Sequence, residues 1–182
     1  MALLPVSEAL ARILATARLA SMETVTLSEA LGRFTATDIK AKHNQPPFQA
    51  SAMDGYAVRH QDIATLPASL NLIGVSAAGH GFKGVVKRGQ AVRILTGAPL
   101  PKGADTVVIQ ENVTAVGKQI NVNDATAMGR NIRALGLDFT KGMVLVRAGT
   151  KLGARDIGLL ASGDHAMVGN KLASEVQRDR SR

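Results

Sequence analysis

The sequence predicts an α+β fold in which an all-β domain is inserted into a smaller α+β domain. Three observations predict it. Helical periodicity is confined to the two ends of the chain. From Gln45 to about Asp124 the apolar runs are short, β-prone and separated by Gly, Pro, Asn or Lys, with no long helix among them. The length, 182 residues, leaves room for one or two small domains with real cores. The two lobes are then residues 1–44 with 125–182, and residues 45–124.

In order along the chain, Val6, Ala9, Leu10, Ile13, Leu14 and Ala17 recur at helical spacing behind Ser7. This predicts an amphipathic helix with Ser7 as N-cap and its apolar stripe in the core. Thr24–Leu27 reads as a strand, Ser28–Leu31 as one helical turn stopped at Gly32, and Ala36–Ala41 as extended. The chain should leave the first lobe near Lys42–Pro47 and return near Asp124–Gly142. Within the β lobe the expected strands are Leu70–Ala77, Ala91–Leu95, Thr106–Ile109 and Gln119–Val122. Asp124–Gly136 reads as loop, Met143–Val146 as strand, and Ala154–Leu160 as a helix that Gly163 ends.

Composition narrows the function classes. Hydrophobic residues make up 46% of the chain and charged residues 20%, as in a soluble globular protein. The chain contains no cysteine, which excludes disulfides, zinc–thiolate sites and thiol nucleophiles and fits a reducing compartment. The start is apolar, but Glu8 and Arg12 interrupt it and no basic segment precedes it. No signal peptide or membrane span is expected, and the cytoplasm is the default location. The net charge is +8, of which the tail Asn170–Arg182 supplies two. The other Lys and Arg residues are scattered, with only Lys83–Arg88 mildly clustered. One Tyr and no Trp leave few stacking platforms for single strands. Nucleic acid is therefore not the expected partner. Modest positive potential suits a small anionic ligand equally well.

The chemistry-bearing residues concentrate in three loops. The first is Pro46-Pro47-Phe48-Gln49-Ala50-Ser51-Ala52-Met53-Asp54-Gly55-Tyr56-Ala57. The prolines bar helix and Asp54-Gly55 is a turn signal. Taken alone, Asp54 caps a turn and Ser51 bonds local backbone, as such residues commonly do. In the second, Arg93-Ile94-Leu95-Thr96-Gly97-Ala98-Pro99 runs from a strand into a turn. A Thr96 hydroxyl beside a free Gly97 N–H would hold an oxyanion; the alternative is a structural Thr in an ordinary loop. The third, Gly129-Arg130-Asn131-Ile132-Arg133-Ala134-Leu135-Gly136-Leu137-Asp138, places two arginines near a carboxylate. Arg133 or Arg130 would fork onto phosphate, or an Arg–Asp pair would pin the loop, and both can hold at once. Asp105 and Glu111 read as structural or exposed. Gly79-His80-Gly81-Phe82-Lys83-Gly84 matches G-x-G-x-x-G, but strand and turn follow it where a dinucleotide site needs a helix, so it reads as a hairpin loop. The four histidines, His43, His60, His80 and His165, lack metal-ligand spacing.

Together and in this order, the three loops resemble the N-terminal region of the MoeA family, the molybdopterin molybdenumtransferases that include the E domain of gephyrin. The resemblance runs from about Pro5 to Asp164. It implies the same nested two-lobe fold and a role in the last step of molybdenum cofactor biosynthesis. There, molybdate enters the dithiolene of adenylylated molybdopterin, AMP is released, and a divalent cation such as Mg²⁺ assists. By the same resemblance Asp54, Thr96 and Asp138 are catalytic, Ser51, Gly97 and Arg133 bind substrate, and Asp54 and Asp138 attend the metal. A homodimer with the site between subunits is implied, and contact with molybdopterin adenylyltransferase fits the same role. Family members continue into a large α/β domain with the main pterin pocket and then a small β domain. This chain would hold part of the site and be inactive alone, and Asn170–Arg182 does not resemble the family's continuation. Two other classes compete: a non-catalytic dimerisation or scaffold module of cofactor synthesis, and a basic nucleic-acid-binding β module.

Overall fold

The computed structural model describes residues 4–16 and 21–171. Ala17, expected on the first helix, and the tail beyond Lys171 lie outside the described residues. In chain order the elements are α1 (Val6–Thr16), β1 (Met22–Thr26), β2 (Phe34–Thr35), β3 (Ile39–Lys40), β4 (Ala50–Ser51), β5 (Gly55–Val58), β6 (Ala68–Ser76) and β7 (Gln90–Ile94). They continue as β8 (Thr106–Ile109), β9 (Val113–Val116), β10 (Gln119–Val122), β11 (Ile132–Arg133), β12 (Val144–Val146), α2 (Ala154–Ser162) and β13 (Met167–Lys171). Content is thus mixed α and β, with few helices. The chain divides into two compact units, Met1–His43 with Lys141–Arg182, and Asn44–Thr140.

The first unit contains a three-stranded antiparallel sheet, β1-β13-β2, and the antiparallel pair β12-β3. Its core gathers Val25, Ala30, Ile39, Val146, Leu152, Leu160 and Val168. Helix α2 starts where Asp156 Oδ2 accepts the Gly153 N–H at 2.8 Å. It stops at Gly163, whose N–H still donates to the Leu159 carbonyl at 3.0 Å. Helix α1 departs from expectation twice. Ser7 lies inside it, and the Pro5 carbonyl accepts the Ala9 N–H at 3.0 Å in the first turn. Its apolar stripe is exposed rather than in the core: Val6 is 84% accessible, Leu10 54% and Leu14 61%. Helical spacing fixes which face is apolar and is silent on what covers it.

The second unit is built on one six-stranded sheet in the order β8-β5-β7-β6-β10-β9, antiparallel except where β6 meets β7. Strands β5, β7 and β8 are largely buried on both faces. Tyr56, Val58, Ala91, Val108, Ile120 and Val122 pack together in one cluster, and Ala57, Val92, Ile94 and Val107 in another. The split follows the two-residue period of strands: Tyr56 and Val58 against Ala57, Ala91 against Val92, Val108 against Val107. That explains why these strands read as continuous apolar runs rather than as alternating ones.

Residues 125–140, read with the flanking lobe, belong to this second unit. Their ties are non-local: β11 pairs with β4, Phe139 bridges Gln45, and the Arg130 carbonyl accepts the Val107 N–H at 3.1 Å. The glycine-rich segment after β6 folds back on itself, with Ala77 and His80 exchanging backbone bonds of 3.1 and 3.0 Å, and no helix follows.

Candidate functional site

Sheet order assembles the first cluster. Strand β5 lies between β8 and β7 and runs antiparallel to both, so its first residue, Gly55, faces the last residues of its neighbours, Ile109 and Ile94. Three chain segments therefore meet at this edge: Asp54 before β5, Leu95 and Thr96 after β7, and Gln110 after β8. The approach is close enough that a Cβ on Gly55 would fall on the Val108 carbonyl. A glycine is required by contact here, and the turn Asp54-Gly55 is where the sequence placed it.

Asp54 and Thr96 form the centre of the cluster. Oδ1 of Asp54 accepts both the Thr96 N–H and the Thr96 hydroxyl, each at 2.7 Å. The Asp54 carbonyl accepts the Gln110 N–H at 3.1 Å. The Thr96 hydroxyl first, then its N–H, hold the Asp54 carboxyl below the usual carboxylate range; desolvation opposes this and the Arg93 guanidinium adds to it. The side chain is exposed. At neutral pH it is an anion with one oxygen engaged and the other open, which suits an electrostatic or cation-ligand role and not that of a general acid.

Arg93 escaped sequence reasoning although it opens the second loop. Its guanidinium lies over the Tyr56 ring, 5.0 Å from the centroid, and donates to the Gly55 carbonyl at 3.1 Å and to Gln110 Oε1. The signal available was an Arg at the inner end of a strand, three residues before Thr96, where an apolar residue would otherwise pack.

Two residues expected to contact substrate make internal hydrogen bonds. The Gly97 N–H donates to the Ser51 carbonyl at 2.9 Å. Both Thr96 donors go to Asp54. Gly97 is needed for its φ of +78°. Ser51 is fully buried, and its hydroxyl donates to the Met53 carbonyl at 2.6 Å. It braces the turn that carries Asp54 and does not face solvent.

Arg133 and Asp138 form a second cluster, an ion pair of 3.4 Å with both side chains about half exposed, 50% and 46%. The Asp138 N–H donates to the Gln45 carbonyl at 2.8 Å and the Gly136 N–H to the Pro46 carbonyl at 2.9 Å, so the turn is stapled to the entry of the first loop. Strand β4 ties the two clusters. It pairs with β11, Ser51 opposite Ile132 and Ala50 opposite Arg133, while the Ser51 N–H donates to the Ala98 carbonyl at 3.0 Å. The three loops are thus joined through two residues. Arg130 has no side-chain bond among the described residues. Asp105 is structural, accepting the His60 N–H at 2.6 Å.

No group of three His, Cys, Asp or Glu side chains that could hold a metal occurs among the described residues. Asp138, expected at the metal, gives Oδ1 to Arg133. One exposed carboxylate, Asp54, is present at this edge, and Mg²⁺ is generally held by one or two carboxylates with other oxygen ligands and water completing its shell.

The MoeA N-terminal region (domain I and II) family model matches residues 4–163. The molybdopterin molybdenumtransferase of Nostoc sp. is 37% identical over 150 residues, covering 80% of this chain and 34% of that protein. The enzyme of the same name from Bacillus subtilis is 37% identical over 173 residues, covering 91% of this chain and 40% of that protein. A crystal structure of the molybdopterin biosynthesis moeA protein from Pyrococcus horikoshii superposes with a TM-score of 0.87 at 38% identity, covering 93% of this chain and 46% of that one. The chain therefore spans about a third to just under half the length of these relatives. No helix among the described residues is long and apolar enough to cross a membrane.

Proposed function

The chain belongs to the family of the MoeA N-terminal region, and on that premise we propose that it supplies one part of the site at which molybdate is inserted into adenylylated molybdopterin with release of AMP. The observation that carries this reading is the Asp54–Thr96 node. An exposed carboxylate, kept ionised by two donors on a single oxygen, stands where three strand ends meet. Such a group is pre-aimed, because Thr96 sits in the turn directly after β7, which the Leu95 N–H to the Ser76 carbonyl and the Gly97 N–H to the Ser51 carbonyl hold in place.

In this reading Asp54 would hold Mg²⁺. When bound, the cation neutralises charge on the phosphoanhydride oxygens of the substrate. Thr96 fixes the rotamer of Asp54, and Arg93 braces the strand ends beneath it. Arg133, oriented by Asp138, forks onto an oxyanion of molybdate or of the AMP phosphate. Ser51 and Gly97 act indirectly, by pinning the loops. The contribution of these residues is position and field; none serves as a nucleophile.

The remaining groups come from segments beyond this region in the longer relatives. The exposed apolar stripe of α1 supports a homodimer or a contact with such segments, because a stripe of that size is ordinarily covered. The test is to assay AMP release with adenylylated molybdopterin, molybdate and Mg²⁺, first on the chain alone and then on the chain joined to the downstream domains of a relative. The proposal expects no multiple turnover from the first and turnover from the second. A joined protein that folds, binds the substrate and releases no AMP overturns it.

A further inference from the structure

The second unit holds a cleft of about 610 Å³ at the opposite end of β5 from Asp54. Asp54 precedes the strand and Arg59 follows it, so the two are separated by about 16 Å of extended chain. The volume falls within the range of small-molecule sites, roughly 300–1,000 Å³. Its lining includes Arg59, Asp62, Thr65, Ser69, Arg88 and Gly89, and none of these serves the reading above.

The wall that carries Arg88 is pinned. Residues 87–90 form a turn in which the Gln90 N–H donates to the Lys87 carbonyl at 3.1 Å and Gln90 Oε1 accepts the Lys87 N–H at 3.0 Å. Gly89, at φ +71°, gives the turn its corner. Its N–H donates to Asp62 Oδ2 at 2.9 Å, and its carbonyl accepts the Asn71 N–H at 2.9 Å. The turn is therefore tied both to the segment after β5 and to β6, and Arg88 projects from a fixed backbone.

Charge bookkeeping identifies the ligand class. The Asp62 side chain is only 7% exposed, and its Oδ2 serves Gly89 and, at 4.0 Å, Arg59 Nε. That oxygen is thus engaged by Gly89 and Arg59 within the wall. Arg59 also donates from Nη2 to Gln61 Oε1 at 3.1 Å, which leaves Nη1 open. Arg88 has no carboxylate partner among the described residues, and Thr65 has no hydrogen bond there. The Ser69 hydroxyl is occupied by Asn121 at 2.6 Å. What remains open is a set of donors: one whole guanidinium, one edge of a second and a hydroxyl. Such a set rejects cations and matches a tetrahedral oxyanion.

We propose that this cleft binds a small phosphomonoester anion, with Arg88 as its principal contact and Arg59 and Thr65 as supports. The proposal is independent of the molybdenum chemistry, and its test reads binding alone. Titrate inorganic phosphate into the ¹⁵N-labelled full chain at low ionic strength, with matched sodium chloride as control. The expected result is saturable shifts at the Arg88, Gly89 and Thr65 amides in the millimolar range, absent with chloride. Arg88→Gln should weaken phosphate about tenfold, and Asp54→Asn should leave it unchanged. Thr65→Val, a second and gentler variant, should weaken it a few-fold. Shifts that grow linearly as with chloride, phosphate affinity untouched by both cleft variants, or loss of binding in Asp54→Asn would each overturn the proposal. So would saturation by a polyanion alone, heparin or single-stranded DNA, with none by phosphate.

Discussion

Replacing Gly55 by Ala probes the junction on which the candidate site depends. The added Cβ would fall on the Val108 carbonyl oxygen, 2.9 Å from Val108 C and 3.1 Å from Ile109 Cα. All three neighbours are backbone, so no rotamer change relieves the contact. Ordinary contact distances of roughly 3.5–4.0 Å require β5 and β8 to part by about 1 Å or more. No void is available, because Ala57, Val58, Val107 and Val108 are fully buried. Overpacking of this kind costs roughly 1–3 kcal/mol, and loosening the end of the ladder adds about 1 kcal/mol for each backbone bond lost. The sum is about 2–4 kcal/mol. With an m-value of about 2 kcal/mol per molar urea, the midpoint should fall by about 1–2 M. The assay has a built-in reporter: Tyr56 is the only tyrosine and the chain has no tryptophan. Its fluorescence therefore follows the second unit at the residue next to the substitution. Gly97→Ala is the control. Its Cβ meets nothing within 4 Å and only its φ of +78° is strained, which costs about 1 kcal/mol. A Gly55→Ala midpoint equal to wild type, or a Gly97→Ala loss as large as that of Gly55→Ala, refutes the reasoning.

Other perturbations bear on the same loops and cores. Thr96→Val removes the donor that most lowers the Asp54 pKa, so a ¹³C titration should show that pKa rising toward its ordinary value of 3.8. The sign follows from a folded pKa below the unfolded one: the stabilising contribution of Asp54 is present above the ordinary value and lost as pH falls through the depressed one, and the variant should lose less in acid. An unshifted Asp54 contradicts the role given to Thr96. Ser51→Ala removes the 2.6 Å donor to the Met53 carbonyl in a part-buried turn and should cost about 0.5–1.5 kcal/mol in urea. Leu160→Ala opens a hole among fully buried side chains of the first unit and should cost about 2–5 kcal/mol. Its unfolding by circular dichroism should then precede the Tyr56 transition, whereas coincident curves would show that the units unfold as one.

Much of the β unit was legible because its strands carry β-prone runs between turn residues: Thr106–Ile109 and Gln119–Val122 are strands over those residues. Helix α2 was legible from its spacing and its terminal Gly163. The two-residue strands β4 and β11 were not. Ala50–Ser51 and Ile132–Arg133 have no period to read, and their pairing joins segments about eighty residues apart. For the same reason residues 125–140 read as a return to the first lobe although they pack in the second unit. At the candidate site, the three loops and the Arg133–Asp138 pair could be reached from motif chemistry, whereas the Asp54–Thr96 bond joins residues 42 positions apart and could not. Which donors were already committed could not: the Gly97 N–H and the Ser51 hydroxyl are consumed by carbonyls that only the folded chain brings near. Arg93 was hidden because a strand residue is read for its face, not for the ring and carbonyl beside it.

The most direct test of the central claim is the turnover of an Asp54→Asn variant in the chain joined to the downstream domains of a relative. The substitution keeps shape and removes the charge that would hold the cation. A ligand to a charge-neutralising cation is worth several kcal/mol in the transition state, so AMP release per enzyme should fall by about 100-fold or more. Circular dichroism and the urea midpoint should show the same folded protein before and after. A correctly folded Asp54→Asn enzyme that releases AMP within a few-fold of the parent would contradict the assignment of the Asp54–Thr96 node to the reaction.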